Sequence, residues 1–462
     1  MKKTLVLLLA LLMAVSMFAG CAASQQAASA PAAEATATEA PAAEAPAAEA
    51  TASDEKIELT FYYPVNIGGA VPNLIDQMVA QFEKENPNIK INAVYTGNYG
   101  DNAVQVVSAF QAGNPPDFFL YDYTSCLDII ASGYVTPLDP FVKADADGEE
   151  YINDFLEGFM VDAHINDTLW SIPFQRSTEI MYYNKDAFKE VGLDPETPPK
   201  NWAELLEYAQ KLTVRDASGN TTRWGIGIDG DNAQWWLGGM CLQNSVNGNN
   251  LMNGDGTEVY FNSPEVIEAL QFVCDLSQKY QVMPTGIQRW SDLPTQFLDG
   301  QYAMIYHTSG NLTNIANNAK FEFGTSFLPG NKRSGACTGG GSFYISEGIP
   351  QSHKDAAWKF IRFVTTPEAQ AQWNIDTGYV AVRKSAQDTD LMKAYYEKMP
   401  QAKVAMDQVV YAGPELTVNN TGVVWDALND NITAALIGDK TVEDAMNDAQ
   451  AKADKALEDY KK

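Results

Sequence analysis

The sequence predicts an α/β fold, and two stretches of the chain predict it. In the first, apolar residues alternate at 57–63 and 89–95 and recur at helical spacing at 74–82, between the two alternating runs. Strands joined through a helix in this way run parallel in one sheet. In the second, residues 172–188, a polar patch at 175–179 lies between two extended runs.

Residues 172–188 look like a point at which the chain crosses between two lobes. An extended run ends at Pro173, an apolar strand is predicted at 180–183, and Asn184 or Asp186 can cap the helix that follows. Polar groups placed between two strands at a crossing favour a ligand site. A solvated β-loop-β corner is the alternative that these residues leave open.

The N-terminus predicts export. Residues 1–20 carry two lysines, an apolar run and small residues before Cys21, which describes a signal peptide. The apolar run is too short for a convincing membrane span. Cys21 after Ala-Gly resembles a bacterial lipobox, in which this cysteine is lipidated, although Phe18 departs from the usual leucine. An ordinary cleaved signal is the alternative.

Residues 21–56 form an Ala/Pro/Glu-rich segment that cannot build a core and is predicted to be a disordered tether. The full chain has 462 residues, of which 45% are hydrophobic, and is long enough for two or three domains. A formal charge of -28 opposes binding to nucleic acid or to anionic lipid surfaces. It leaves the class of small-molecule ligand open.

The cysteines match no zinc or redox spacing. With Cys21 assigned to lipid, Cys126, Cys241, Cys274 and Cys337 allow three disulfide pairings. The sequence does not choose among them, and Cys241 with Cys274 is the first pair to test. Free buried thiols are the alternative.

The remaining elements follow in order. A helix is predicted at 102–112 and a buried strand at 118–121, with Asp122 and Tyr123 at its carboxyl end, where open α/β sheets place ligands. A loop rich in Gly and Asn, 229–256, carries Trp235 and Trp236. Further helices are predicted at 202–212, 264–280, 354–364, 367–373 and 441–461, with strands at 303–306 and 343–345 and a turn at 377–379.

The cues for an enzyme are missing. The three histidines lie in unrelated contexts, and neither His-Glu-x-x-His nor Gly-x-Ser-x-Gly occurs. We therefore predict no catalytic residue, no metal and no cofactor. The abundant carboxylates leave a secreted glycoside hydrolase as an alternative.

The order of several short motifs resembles the extracellular solute-binding proteins of ABC importers, the family that includes maltose-, multiple-sugar- and glycerol-3-phosphate-binding proteins. The resemblance covers essentially everything after the tether and is closest to the glycerol-3-phosphate branch. The motifs that carry it are Phe82-Glu83-Lys84-Glu85-Asn86-Pro87, Tyr95-Thr96-Gly97-Asn98-Tyr99, Tyr182-Tyr183-Asn184-Lys185-Asp186, Gly192-Leu193-Asp194-Pro195 and Thr377-Gly378-Tyr379.

This resemblance implies a two-lobe fold like that of periplasmic binding proteins, each lobe a mixed sheet flanked by helices, with three hinge crossings. The crossings are expected near 175–178, 339–341 and 376–379. The implied N-terminal lobe is 57–175 plus 342–375, and the implied C-terminal lobe is 176–341 plus 376–462. A monomer is expected, attached to the membrane only through its lipid anchor, which delivers its ligand to the transmembrane subunits of an ABC permease.

The resemblance also implies the ligand residues, although unevenly. It implies Tyr99, Ser177, Ser309 (or its neighbour Thr308), Gly340 or Gly341, Tyr379, and Trp235 or Trp236. Asp122 or Tyr123 stands where the glycerol-3-phosphate branch has a carboxylate. Residues 414–420 contain no arginine where that branch has one to pair with phosphate, and Arg176 is left to replace it or to bind hydroxyls.

A carbohydrate, either a monosaccharide or an oligosaccharide, is therefore the preferred ligand. Its hydroxyls need planar polar side chains, and its C–H faces need flat aromatic walls, which 11% aromatic content can supply. Glycerol-3-phosphate or a glycerophosphodiester is the alternative ligand. A signalling receptor or adhesin on the same fold is an alternative function.

Overall fold

The computed structural model describes residues 56–65 and 67–461. The predicted signal peptide, Cys21 and all of the tether except Lys56 lie outside the described residues. The strands are β1 (Ile57–Tyr63), β2 (Ile89–Tyr95), β3 (Phe118–Asp122), β4 (His164–Ile165), β5 (Thr168–Leu169), β6 (Ile172–Asn184), β7 (Val214–Arg215), β8 (Thr221–Arg223), β9 (Met304–Thr308), β10 (Phe323–Ser326), β11 (Ala336–Ile345) and β12 (Ala412–Gly413).

The helices surround these strands. They are α1 (Val71–Glu85), α2 (Tyr99–Gln111), α3 (Cys126–Ala131), α4 (Asp139–Ala144), α5 (Gly148–Asn153), α6 (Glu157–Met160), α7 (Lys185–Glu190), α8 (Trp202–Leu212), α9 (Ala233–Asn244), α10 (Pro264–Gln278), α11 (Leu293–Leu298), α12 (Leu312–Asn318), α13 (Gln351–Val364), α14 (Pro367–Thr377), α15 (Asp390–Lys398), α16 (Lys403–Val409), α17 (Thr421–Leu436) and α18 (Val442–Ala456). Short 3-10 turns occupy Tyr123–Ser125, Ser309–Asn311, Ser385–Asp388, Pro400–Ala402 and Glu458–Tyr460.

The main sheet is mixed and has eight strands. Its order is β10-β6-β11-β3-β1-β2, with β9 also paired to β6 and β12 to β11. β1 runs parallel to β2 and to β3, which confirms the parallel unit expected from the alternating apolar residues. β11 runs antiparallel to both β3 and β6, so the two ends of the sheet are joined through β11 and β6.

The polar patch at 175–179 is part of a strand and not of a loop. β6 is continuous over 13 residues, and all of them are buried. The glycine-rich part of β11 pairs with it, Gly339 opposite Ser177 and Gly340 opposite Arg176. Gly340 has φ 106°, and a Cβ there would lie 1.8 Å from the carbonyl oxygen of Gln175. Only glycine lets the strands approach this closely, which explains the glycine run.

Two stretches differ from the sequence predictions. The segment 229–256, predicted as a loop, contains α9, whose residues are all buried. A helix without a polar face shows no amphipathic periodicity in its sequence. Gly238 and Gly239 let α9 pack closely against Cys337 and Ala336 of β11. The long helix α17 was not predicted. The four cysteines among the described residues are buried and free, so Cys241 and Cys274 form no disulfide in the structure.

Two large apolar cores lie on either side of the crossing formed by β6 and β11. One is built on aromatic packing around β1, β3 and α13, in which the ring centroids of Phe61 and Phe118 are 4.6 Å apart. The other packs α9, α10, α17 and α18 together. The crossing strands therefore lie between two independently packed regions.

Candidate functional site

A cavity of about 840 Å³ lies at the carboxyl end of β3 and beside the crossing of β6 and β11. That volume falls in the range of small-molecule sites. Its lining combines seven aromatic side chains with carboxylates and small polar groups. The aromatic residues are Tyr99, Tyr121, Tyr134, Trp235, Trp290, Tyr379 and Trp425, and the acidic residues are Asp122, Asp128, Asp231 and Glu415.

Two tyrosines reach the cavity from helix ends. Tyr99 is the first residue of α2, directly after the N-cap Asn98, and its hydroxyl donates to Gln175 Oε1 at 3.2 Å. Tyr379 follows Gly378, which ends α14 in the left-handed conformation at φ 99°. The Tyr379 ring stacks parallel to that of Trp373, with centroids 5.9 Å apart. Both rings are therefore held in place before any ligand arrives.

Trp235 lies in the first turn of α9 and lines the cavity. Its Nε1 donates to the carbonyl oxygen of Thr338 at 3.1 Å, which fixes the orientation of the ring. A Cβ at Gly339 would lie 2.6 Å from the ring, so glycine is needed for this contact. Trp290 is held differently, stacked on His307 with ring centroids 4.2 Å apart.

Six of the predicted site residues line this cavity. They are Tyr99, Asp122, Ser177, Trp235, Gly340 and Tyr379. Thr308, named as the alternative to Ser309, lines it as well. The structure thus brings together residues more than 250 positions apart in the sequence. Their roles as ligand contacts remain predictions.

Arg176, Tyr123, Trp236, Ser309 and Gly341 do not line the cavity. Arg176 is fully buried and forms a bidentate pair with Asp162, with Nη1 3.0 Å and Nη2 2.8 Å from the carboxylate oxygens. Its Nε donates to the carbonyl oxygen of Gly339, and its guanidinium lies 4.1 Å from the centre of the Tyr123 ring. Burial lowers the pKa of Arg176, but Asp162 more than offsets this, so Arg176 stays charged and its charge is already neutralised.

The other four residues support the cavity wall from behind. Tyr123 donates its hydroxyl proton to the carbonyl oxygen of Thr338 at 2.9 Å, and Trp236 donates to the carbonyl oxygen of Asp229 at 2.9 Å. The Ser309 hydroxyl accepts from the backbone N–H of Thr178. Gly341 lies against the Tyr99 ring, where a Cβ would be 3.2 Å from it.

Sequence reasoning missed several cavity residues, among them Asp128, Asp231 and Glu415. Glu415 is the most buried of these three carboxylates. It is 6% exposed, and its Oε1 accepts from Gln234 Nε2 at 3.4 Å. Its backbone N–H donates to the Tyr123 hydroxyl at 2.8 Å. The sequence carried one signal for it: Glu415 is the only charged residue between Asp407 and Asp426. An isolated charge in such a stretch suggests a specific role.

Two further buried carboxylates, Glu179 and Asp229, act on Glu415. Glu179 Oε1 and Asp229 Oδ1 have no hydrogen-bond donor among the described residues. Burial raises the pKa of Asp229 to about 7 and that of Asp122 to about 6. Burial, with the neighbouring carboxylates, raises the pKa values of Glu179 and Glu415 well above the glutamate range. The cluster therefore binds protons near neutral pH.

Positive charge is missing from the cavity wall. No lysine, arginine or histidine is among the described residues that line it. His307 lies behind Trp290, and burial lowers its pKa to about 4, so it is neutral at neutral pH. The described part of the chain also holds no group of three or more His, Cys, Asp or Glu side chains placed to bind a metal ion.

The carboxylate cluster predicts how stability depends on pH. The folded state keeps a proton on Glu179 at pH values where the unfolded chain has lost it, so raising the pH lowers the free energy of unfolding. Glu179→Gln has no such proton to lose. Relative to wild type, we expect it to gain about 1 kcal/mol or more between about pH 5 and about pH 8, measured by urea denaturation.

Glu397→Gln is the matched control for this prediction. Glu397 is exposed on α15 and lies outside the cavity, so the same Glu-to-Gln change there leaves the cluster untouched. We expect its stability to follow wild type at every pH. A Glu179→Gln curve that also runs parallel to wild type would show that Glu179 is not a proton-binding group of the folded state.

Comparisons with known proteins identify what the chain resembles. Residues 77–401 match the family described as bacterial extracellular solute-binding protein. The sn-glycerol-3-phosphate-binding periplasmic protein UgpB of Escherichia coli K12 is 30% identical over 407 residues, which span 85% of this chain and 91% of that protein.

Solved structures show the same fold at lower identity. UgpB of Mycobacterium tuberculosis in complex with glycerophosphocholine has a TM-score of 0.75 at 23% identity and covers 87% of this chain and 99% of its own. The substrate-binding protein Lmo0181 of Listeria monocytogenes, in complex with cycloalternan, has a TM-score of 0.75 at 23% identity and covers 87% and 100%. These likenesses confirm the predicted two-lobe α/β fold.

Proposed function

The chain belongs to the bacterial extracellular solute-binding proteins, and on that premise we propose that it captures a mono- or oligosaccharide in the cavity for uptake through an ABC permease. The family consists of substrate-binding components of ABC transporters and not of enzymes. The observation that carries the proposal is the lining itself, in which aromatic faces and uncharged or acidic polar groups surround a space without a cation.

The lining suits a sugar ring in two respects. Trp235 offers a flat apolar face to C–H groups, and its indole N–H is already used by Thr338, so the ring is free to act as a wall. Hydroxyl groups can donate to carboxylate oxygens, and Asp122 has one oxygen, Oδ1, held by Thr124 while the other has no donor among the described residues. The aromatic side chains thus match the apolar C–H faces of a sugar, and the carboxylates match its hydroxyl groups.

A phosphate ester is the second candidate, because the curated relative UgpB is named for sn-glycerol-3-phosphate. The charges in this cavity oppose it. Phosphate is recognised best by a bidentate guanidinium or by a lysine, and the guanidinium nearest the site, Arg176, is bound to Asp162. Asp122, whose pKa of about 6 leaves it ionised at neutral pH, would face the phosphate oxygens with like charge. The neutral ligand is therefore preferred.

The proposed lobes are 57–175 plus 342–375 and 176–341 plus 376–462, with the ligand between them. Contacts across this boundary support closure around a ligand. Asp128, on α3, accepts from the backbone N–H groups of Asn420 and Thr421 at 3.1 and 3.2 Å, where α17 begins. A carboxylate is favourable at a helix N-terminus, so this contact stabilises the closed arrangement.

We propose further that the protein acts as a monomer at the outer face of the cell membrane, held by lipid on Cys21 and the tether to residue 56. In the part of the chain that the structure describes, no helix is long and apolar enough to cross a membrane. Labelled palmitate should be incorporated into wild type and not into Cys21→Ala, which should appear in the medium. Equal labelling of both would exclude Cys21 as the anchor.

Ligand binding tests the proposed function. A thermal-shift screen of residues 54–462 should contain neutral mono- and oligosaccharides, glycerol-3-phosphate and glycerophosphodiesters. We expect a neutral sugar to raise the melting temperature by a few degrees, since ligand at about a hundred times its Kd stabilises by roughly 2.7 kcal/mol. Calorimetry should then give roughly micromolar affinity, about -8 kcal/mol. Stabilisation by phosphate esters alone would contradict the carbohydrate proposal.

Variants of Trp235 test whether the sugar binds in the cavity against this ring. Trp235→Ala should weaken sugar binding by about 1–3 kcal/mol, because it removes an apolar wall, and Trp235→Phe should retain part of it. Trp170→Ala, outside the cavity, is the control and should bind normally. Saturating sugar should also reduce the radius of gyration in scattering. Unchanged affinity in Trp235→Ala would rule out this ring as a sugar wall.

A further inference from the structure

We propose that the sugar bound in this cavity carries a protonated amino group, and that Glu415 and Asp122 hold it. This inference rests on the proposed function and specifies its ligand class. The geometry that points to it is a buried carboxylate aimed into an aromatic cavity, with a second carboxylate nearby and no cation on the wall. An amino sugar supplies the missing charge and keeps the sugar ring.

Glu415 has an oxygen available for such a group. The side chain lines the cavity, although only 6% of the residue is exposed to solvent. Oε1 accepts from Gln234, whereas Oε2 has no donor among the described residues. The backbone is held by the hydrogen bond from Glu415 N–H to Tyr123. An oxygen without a donor on a fixed backbone is a ready acceptor for a ligand N–H.

Asp122 offers a second acceptor at the end of β3. Its Oδ1 accepts from both the backbone N–H and the hydroxyl of Thr124, at 3.0 and 2.8 Å. Its Oδ2 has no donor within the described range. The charge of Asp122 acts directly on Glu415 and raises its pKa. One ammonium group between the two carboxylates would remove this repulsion, with hydrogen bonds about twice as strong as neutral ones.

Apart from Arg176, the charged groups around this pair are carboxylates. Glu179 and Asp229 interact with Glu415 from β6 and from the segment before α9, while Asp162 interacts with Asp122. Arg176 is the one cation that lowers the pKa values of Asp122 and Glu415, and its charge is shared with Asp162.

More distant groups do not supply the missing charge. Asp128 and Asp231 line the same cavity, and His307, behind Trp290, is neutral. Because a buried charge is costly without a partner, a cationic ligand is stabilised here where an anionic one is not. The face of Trp235 adds a favourable site for a cation.

Binding an amine should release a proton. Glu415 gives its carboxylic proton to solvent, and its carboxylate then accepts from an ammonium N–H that keeps all of its own protons. Burial raises the pKa of Asp122 to about 6 and that of Glu415 well above the usual glutamate range. Affinity for an amino sugar should therefore rise as the pH rises through about 6, as long as the amine stays protonated.

Three disaccharides with the same skeleton test the inference by calorimetry. They are a β-1,4-linked glucosamine dimer, its N-acetylated form and the corresponding glucose dimer. They differ only in whether C2 carries an ammonium, an amide or a hydroxyl. We expect the glucosamine dimer to bind about tenfold or more tightly than either neutral dimer. The apparent enthalpy should also change with the ionisation enthalpy of the buffer, as proton release requires.

Glu415→Gln should remove about tenfold or more of the affinity for the glucosamine dimer and abolish the dependence of its enthalpy on buffer. Glu397→Gln, the same substitution at an exposed position outside the cavity, should do neither. Circular dichroism checks that Glu415→Gln is folded. Should it fail to fold, Asp122→Asn tests the other carboxylate of the pair, and it should weaken binding of the glucosamine dimer while leaving binding of the neutral dimers unchanged.

The outcomes separate the two proposals. Equal or tighter binding of a neutral dimer, or undiminished binding of the glucosamine dimer by Glu415→Gln, would overturn the amino-group inference and leave the carbohydrate function standing. Binding of glycerol-3-phosphate with no binding of any sugar would overturn both.

Discussion

The buried ion pair between Arg176 and Asp162 is the interaction on which the site depends. It lies at the crossing of β6 and β11, with neither side chain accessible to solvent beyond 3%. Removing one partner of such a pair costs about 3–5 kcal/mol, because the other charge is left buried. Arg176 also donates to the carbonyl oxygen of Gly339, so the pair ties both strands of the crossing together. Arg176 therefore holds together the two strands that lie beside the cavity.

The same pair determines the charge of the cavity. Asp162 neutralises Arg176, and burial raises the pKa values of Asp122 and Glu415. A wall of carboxyl groups without an unpaired cation offers acceptors to hydroxyl or ammonium donors. Membership in a family thus specifies the scaffold and the general site, whereas the ligand class depends on which charges are already paired within the protein. The relative named for a phosphate ester is 30% identical to this chain over 407 residues.

The sequence predicts most of the fold and part of the candidate site. β1, α1 and β2 follow from apolar periodicity, because each has one buried face. Trp235 and Trp236 could not be separated, since α9 is buried all round and shows no polar face. The sequence alone makes Arg176 a candidate ligand group, because no local pattern identifies Asp162 as its partner. Long-range pairing, unlike periodicity, leaves no pattern within a window of residues.

We infer that the charge pattern of this cavity selects its ligand. A crystal structure of the protein with the glucosamine dimer is the measurement to make first. We expect the sugar ring against Trp235 and its nitrogen within about 3 Å of Glu415 Oε2. A dimer bound with its nitrogen facing solvent, or bound outside the cavity, would show that these carboxylates do not select the ligand.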